Sequence, residues 1–164
     1  MKRGEKVVLA IIAFVVLGLM GRNLWHIETE QAVDKDKGIP YYSTASKELA
    51  RDAMDVYRQQ NCKGCHSLWT LKYMLESVPA PILDGMGSLH SEEWFYQYFS
   101  APNPQAIVPS RLKPEYRMRS YAALPEHERR LLASYMASLK VQDWYLEETR
   151  KAEYEKLTGK DYHP

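Results

Sequence analysis

Apolar residues crowd the first stretch of the chain, recur at helical spacing in three later ones, and thin to a seam in the last. From Val7 to Gly21 there is no charged residue. Lys2, Arg3 and Lys6 precede this run, and Leu24-Trp25-His26-Ile27 continues it past Arg22 and Asn23. The run alone is short for a span, which takes about 20 apolar residues. Arg22 can snorkel, however, and Trp25 suits a membrane interface. A signal peptide and a membrane anchor share this pattern. The small residues of a cleavage site are poorly matched by Gly18-Leu19-Met20 or Leu19-Met20-Gly21. Residues 1–27 are therefore read as an uncleaved N-terminal transmembrane helix. Its basic start stays inside and the rest of the chain lies outside.

Residues 28–44 read as a linker. Glu28 to Lys37 is charged with no apolar period, and Gly38-Ile39-Pro40-Tyr41-Tyr42 reads as a turn or extended piece able to rest on a domain. Thr44 or Ser46 can cap a helix whose apolar face is Leu49, Ala53, Val56 and Tyr57. A second helix opens at Ser91-Glu92-Glu93-Trp94, carries the aromatic stripe Trp94, Phe95, Tyr98 and Phe99, and stops at Pro102 and Pro104. A third starts near Pro125, and Leu131, Leu132, Tyr135, Met136 and Leu139 form its face. Residues 141–164 form a charged extension with a thin seam of Trp144, Tyr145, Leu146, Tyr154 and Leu157. Three readings stay open for it: a helix packed on the domain, a helix docking a partner, or a solvated tail. The pattern as a whole predicts an all-α domain over residues 45–140, with no internal repeat.

Composition adds little beyond exclusions. The 164 residues carry a formal net charge of +1, so the electrostatic footprint of a nucleic-acid-binding protein is missing. Four Trp and twelve Tyr suit a small domain that buries a large flat cofactor.

The chemistry sits in Cys62-Lys63-Gly64-Cys65-His66. Cys-x-x-Cys-His is the attachment sequence for c-type haem. Two thiols one turn apart reach the two vinyl groups of one porphyrin, and the adjoining His66 can donate an imidazole nitrogen to the iron. Gly64 keeps the turn small. A thioredoxin-like pair needs a preceding strand and no adjoining His. Zinc needs a second Cys/His pair at finger spacing. The chain's only two cysteines are both used by the motif. Attachment needs reduced thiols and haem outside the cytoplasm, which agrees with the topology read from the first segment.

A helix, Cys-x-x-Cys-His, a Pro-containing loop, a Met loop and a final helix together resemble the class I cytochromes c over about Ser46 to Lys140. The resemblance implies a class I cytochrome c fold with one covalent haem c. Pro79-Ala80-Pro81-Ile82-Leu83-Asp84-Gly85-Met86-Gly87 is similar to the family's Gly-Pro-x-Leu…Gly segment. That likeness implies that the Pro81 carbonyl accepts a hydrogen bond from His66, and that Ile82 and Leu83 wall the haem edge. Tyr116-Arg117-Met118-Arg119-Ser120-Tyr121 is similar to the Met-Pro-x-Tyr ligand loop, with Arg119 in the proline position. It implies Met118 as the second axial ligand; a thioether raises the potential of the iron. Met86, His90, His127 and an open iron remain as alternatives. Met86 is read as a wall residue, Met54 and Met136 as core, and His90 and His127 as solvated. Met74 lies in an insertion, Trp69 to Val78, and His26 beside the membrane. Trp94 is read as core against the porphyrin. Arg111, Arg117 and Arg119 are candidate partners of the haem propionates.

The function this implies is a membrane-anchored monohaem cytochrome that relays single electrons and is not itself an enzyme. The haem domain would stand on the periplasmic side of the inner membrane. Residues His90 to Tyr121 look like the monohaem subunits of C-type haem–copper oxidases, and the overall plan looks like the small cytochrome subunit of bacterial nitric oxide reductases. Partners would be redox proteins and a larger integral-membrane respiratory complex. The alternative is a haem-based gas sensor with an open iron. A peroxidase would need a catalytic distal side or a second haem, and there is one attachment motif.

Overall fold

The computed structural model describes residues 4, 11–23, 37–69 and 80–163. The chain divides into two units, Met1–Gly38 and Ile39–Pro164. In the first, residues 11–23 form a helix, α1, with exposed apolar side chains such as Phe14 and Leu17. Among the described residues no helix is long and apolar enough to cross a membrane. Residues 1–3, 5–10 and 24–27 of the expected anchor, His26 among them, residues 28–36 of the expected linker, and residues 70–78 of the insertion, Met74 among them, lie outside the described residues.

In the second unit two helices begin where a serine side chain satisfies one of their first amides. Helix α2 spans Lys47–Gln59, and the Ser46 hydroxyl, not that of Thr44, accepts the Leu49 amide at 3.1 Å. Its buried face is Ala53, Val56 and Tyr57. Helix α3, Met86–Leu89, is a single turn that the apolar pattern did not announce. Helix α4 spans Glu92–Ser100 and is capped by Ser91, which accepts the Trp94 amide at 3.2 Å. It ends at Ser100, two residues before Pro102, since the residue ahead of a proline disfavours helical backbone. Helix α5 spans Glu126–Ser138, with Pro125 as its cap residue.

Helix α5 carries the centre of the core. It packs against both α2 and α4, with Leu132, Ala133, Tyr135 and Met136 almost fully buried. The turn α3 lies on the end of α5 through Gly87, where any Cβ would run into the Ala137 carbonyl.

The expectation of an all-α fold holds for this core, with one departure. Tyr41–Ser43 (β1) pairs antiparallel with Leu139–Val141 (β2), with Tyr42 opposite Lys140. The extended piece of the expected linker therefore rests on the domain. Leu139 and Val141 are buried while Lys140 between them is more exposed, so the end of α5 passes into a strand that alternates its faces.

The C-terminal extension is also folded onto this unit. A short turn at Asp143–Tyr145 leads into helix α6, Leu146–Thr158. Tyr145 meets the ring of Tyr41 edge to face at 5.7 Å. Thr149 is buried against Gly85. Of the three readings of this segment, the packed helix is the one observed, while Trp144 and Tyr154 of the expected seam stay exposed.

Candidate functional site

The end of α2 sets the geometry of the cysteine motif. Asn61 takes the left-handed conformation, φ 53°, which Asn tolerates better than most residues. The chain then makes one tight turn at Cys62–Gly64, with the amides of Cys65 and His66 both donating to the Cys62 carbonyl. Both thiols are free of disulfide bonding; Cys65 is exposed and Cys62 half-buried. Burial pushes the Cys62 thiol up, against the opposing pull of the Tyr121 hydroxyl and Arg119. Gly64 is small for a local reason: a Cβ there would stand 2.9 Å from Nδ2 of Asn61.

His66 Nδ1 lies 2.9 Å from the Pro81 carbonyl oxygen, the bond that the resemblance implied. With a carbonyl as partner, Nδ1 is the donor and the lone pair sits on Nε2, the nitrogen a metal would take. The Leu83 amide donates to the Ser67 carbonyl at 3.0 Å, and the Trp69 amide to buried Asp84 at 2.7 Å. These bonds join the residues just after His66 to the loop that follows Pro81.

Cys62, Cys65, His66, Pro81, Trp94 and Met118, the principal site residues read from sequence, line one cavity of about 790 Å³. That is within the usual span of ligand pockets, roughly 300–1,000 Å³. Leu83 and Met86 are wall residues as expected, whereas Ile82 is not among the lining. Met136 is core and wall at once. Among the described residues no group of three or more His, Cys, Asp or Glu side chains could hold a metal ion by itself. A cysteine pair, an oriented imidazole, a thioether and a wall of aromatic rings fit a porphyrin instead.

The Met118 wall is held by side-chain bonds to several segments. Gln105 Nε2 donates to the Met118 carbonyl at 2.7 Å, and Ser120 Oγ to the Ala101 carbonyl at 2.8 Å. Arg119, in the place of the family's proline, donates to the Gln60 carbonyl at the end of α2 and to the Tyr121 hydroxyl. Arg117 donates to the Leu112 carbonyl at 2.7 Å. Two of the three candidate propionate partners thus spend donors on the protein. Trp94 lies stacked between His90, at 3.8 Å, and Tyr98, at 5.3 Å.

His127 is exposed, as read from sequence. His90 is not solvated: it is half-buried, stacked on Trp94, and 2.7 Å from Glu153 of α6. Its neighbours in sequence gave no hint of a partner 63 residues away. Gln105, Glu153, Lys156 and Leu157 also line the cavity and were missed. For the last three a signal existed, since they share one face of a helix at i, i+3 and i+4.

The family model described as cytochrome c matches residues 50–140. No curated protein and no solved structure gave a match. The matched segment covers more than half of the chain and contains the cysteine turn, the Pro81 loop, the Met118 loop and the α5 face, so this chain belongs to the cytochrome c family, whose members bind haem covalently and transfer electrons through it.

Proposed function

We propose that this protein is a membrane-anchored carrier with a single haem c, passing single electrons to or within a membrane respiratory complex on the periplasmic side of the inner membrane. Cys62 and Cys65 would hold the porphyrin by two thioethers, with His66 and Met118 as its axial ligands. The bound group supplies a one-electron ferric/ferrous couple; everything else is the work of the chain. The Pro81 carbonyl fixes the tautomer and plane of His66 and makes it a better donor. Trp94, Leu83 and Met86 keep water from the centre of the cavity. Gln105 and Arg119 hold the Met118 loop in place, which would keep its thioether available to the iron in both oxidation states. Exposed Cys65 marks the edge at which a redox partner can approach.

The observation that carries this reading is the meeting of Cys62, Cys65, His66 and Met118 on one cavity, with His66 already oriented by Pro81. The anchor is supported by the uncharged run Val7–Gly21 behind a basic start. An anchor confines the domain to one membrane face and raises its effective concentration for membrane partners.

The test is purification from native membranes in mild detergent. The haem should stay with the membrane fraction until detergent is added, and should co-purify with an integral-membrane oxidoreductase. The oxidised protein should show the far-red charge-transfer band of methionine-ligated haem. Haem released by a salt wash alone would refute the anchor, and absence of the band would refute Met118 as ligand.

A further inference from the structure

Helix α6 lies beyond the segment matched by the family model, yet Glu153, Lys156 and Leu157 line the haem cavity. They occupy one helical face, and that face is pinned along its length. At its start Thr149, 4% exposed, sits on Gly85. In its middle Glu153 Oε1 is 2.7 Å from His90 Nε2, both side chains about one-fifth exposed at 22% and 18%. At its end Gly159 takes φ 67° and closes the helix against Arg111, whose Cζ is 3.0 Å from where a Cβ would stand. Residues 156 and 159 are i and i+3, neighbours on the helix surface. Lys156 and Arg111 therefore come to the same rim of the cavity.

Among the described residues, four Lys and Arg side chains line this cavity, in two pairs. Arg117 and Arg119 are spent on Leu112, Gln60 and Tyr121. The side chains of Arg111 and Lys156 make no hydrogen bond or ion pair among the described residues. Haem carries two propionate carboxylates, and a carboxylate at a cavity rim is best met by a guanidinium fork and an ammonium.

We infer that α6 is part of the haem site, with Lys156 and Arg111 as the pair that binds a propionate and the His90–Glu153 bond as the clasp that keeps Lys156 there. The inference rests on the covalent-haem reading. A cation at the propionate also favours the reduced iron, which carries one positive charge fewer.

Lys156 is exposed and makes no hydrogen bond or ion pair among the described residues, so its replacement should spare the fold. The experiment compares the full chain with Lys156→Met and Lys156→Arg by equilibrium redox titration and by resonance Raman spectroscopy of the propionate bending mode. For Lys156→Met, the ratio of oxidised to reduced protein at a fixed potential should rise about threefold, the order expected of one screened charge. The propionate band should shift as well. Lys156→Arg should restore both. If Lys156→Met matches the parent in both readouts while the parent carries covalent haem, α6 is not part of the site. A parent without covalent haem overturns the underlying reading and the inference with it.

Discussion

The two walls of the cavity are built by opposite means. The His66 wall is local: six successive residues make the turn, and one further loop supplies Pro81, Ser67–Leu83 and Asp84–Trp69 bonds within 16 residues of each other. The Met118 wall is tied by side chains from four segments: Gln105 to Met118 and Ser120 to Ala101, 13 and 19 residues apart, and Arg119 to Gln60 and Glu153 to His90, 59 and 63 apart. A wall whose bonds all join one turn to one returning loop moves as a unit. A wall made by side chains from four segments can lose one tie and keep the rest. The first wall is thus expected to be all-or-none, and the second to weaken in steps.

Substitutions can break or sharpen that contrast. The largest effect is expected from Met118→Ala. It should abolish the far-red band, let carbon monoxide bind the ferrous protein rapidly, and lower the midpoint potential by at least about 59 mV, a factor of ten in a one-electron equilibrium. His66 and both thioethers should be untouched, so the haem should stay attached.

Gly87→Ala comes next, because α3 links the Pro81 loop to the end of α5 and a Cβ would meet the Ala137 carbonyl. Overpacking of this kind costs about 1–3 kcal/mol. Chemical denaturation should show it as a lower midpoint with an unchanged slope.

Gln105→Leu removes one tie of the Met118 wall, worth about 1 kcal/mol. Carbon monoxide should then compete about fivefold better for the ferrous iron, with the far-red band retained. Loss of the whole band would mean that this wall, too, is all-or-none.

The smallest effect is one of pH. Burial pushes the Tyr98 phenol from 10.0 up to about 12. A proton held more tightly in the folded state stabilises the fold below the unfolded value. That contribution is lost as pH rises from about 10 through about 12. Alkaline unfolding followed in Tyr98→Phe should show a shallower fall across that window.

What could be read from sequence follows the same division. Cys62–His66, the three amphipathic helices and the caps at Ser46 and Ser91 are short-range patterns, and each is where the pattern put it. The His66–Pro81 bond came from the family likeness, since nothing in the spacing itself dictates a loop's return. The single turn α3 is too short to show a period. The β1–β2 pair joins residues almost 100 positions apart. His90 looked solvated because its acid partner sits on α6, and the charged surface of α6 hides the face that meets the cavity. Arg119 read as a departure from the ligand loop; in the fold it ties that loop to the end of α2.

The central claim is that Cys62 and Cys65 carry a porphyrin by covalent bonds. Intact-mass measurement of the mature protein under denaturing conditions tests it directly. The account predicts the polypeptide plus a single haem, with neither cysteine open to alkylation. A polypeptide without haem, both thiols alkylated, would contradict it.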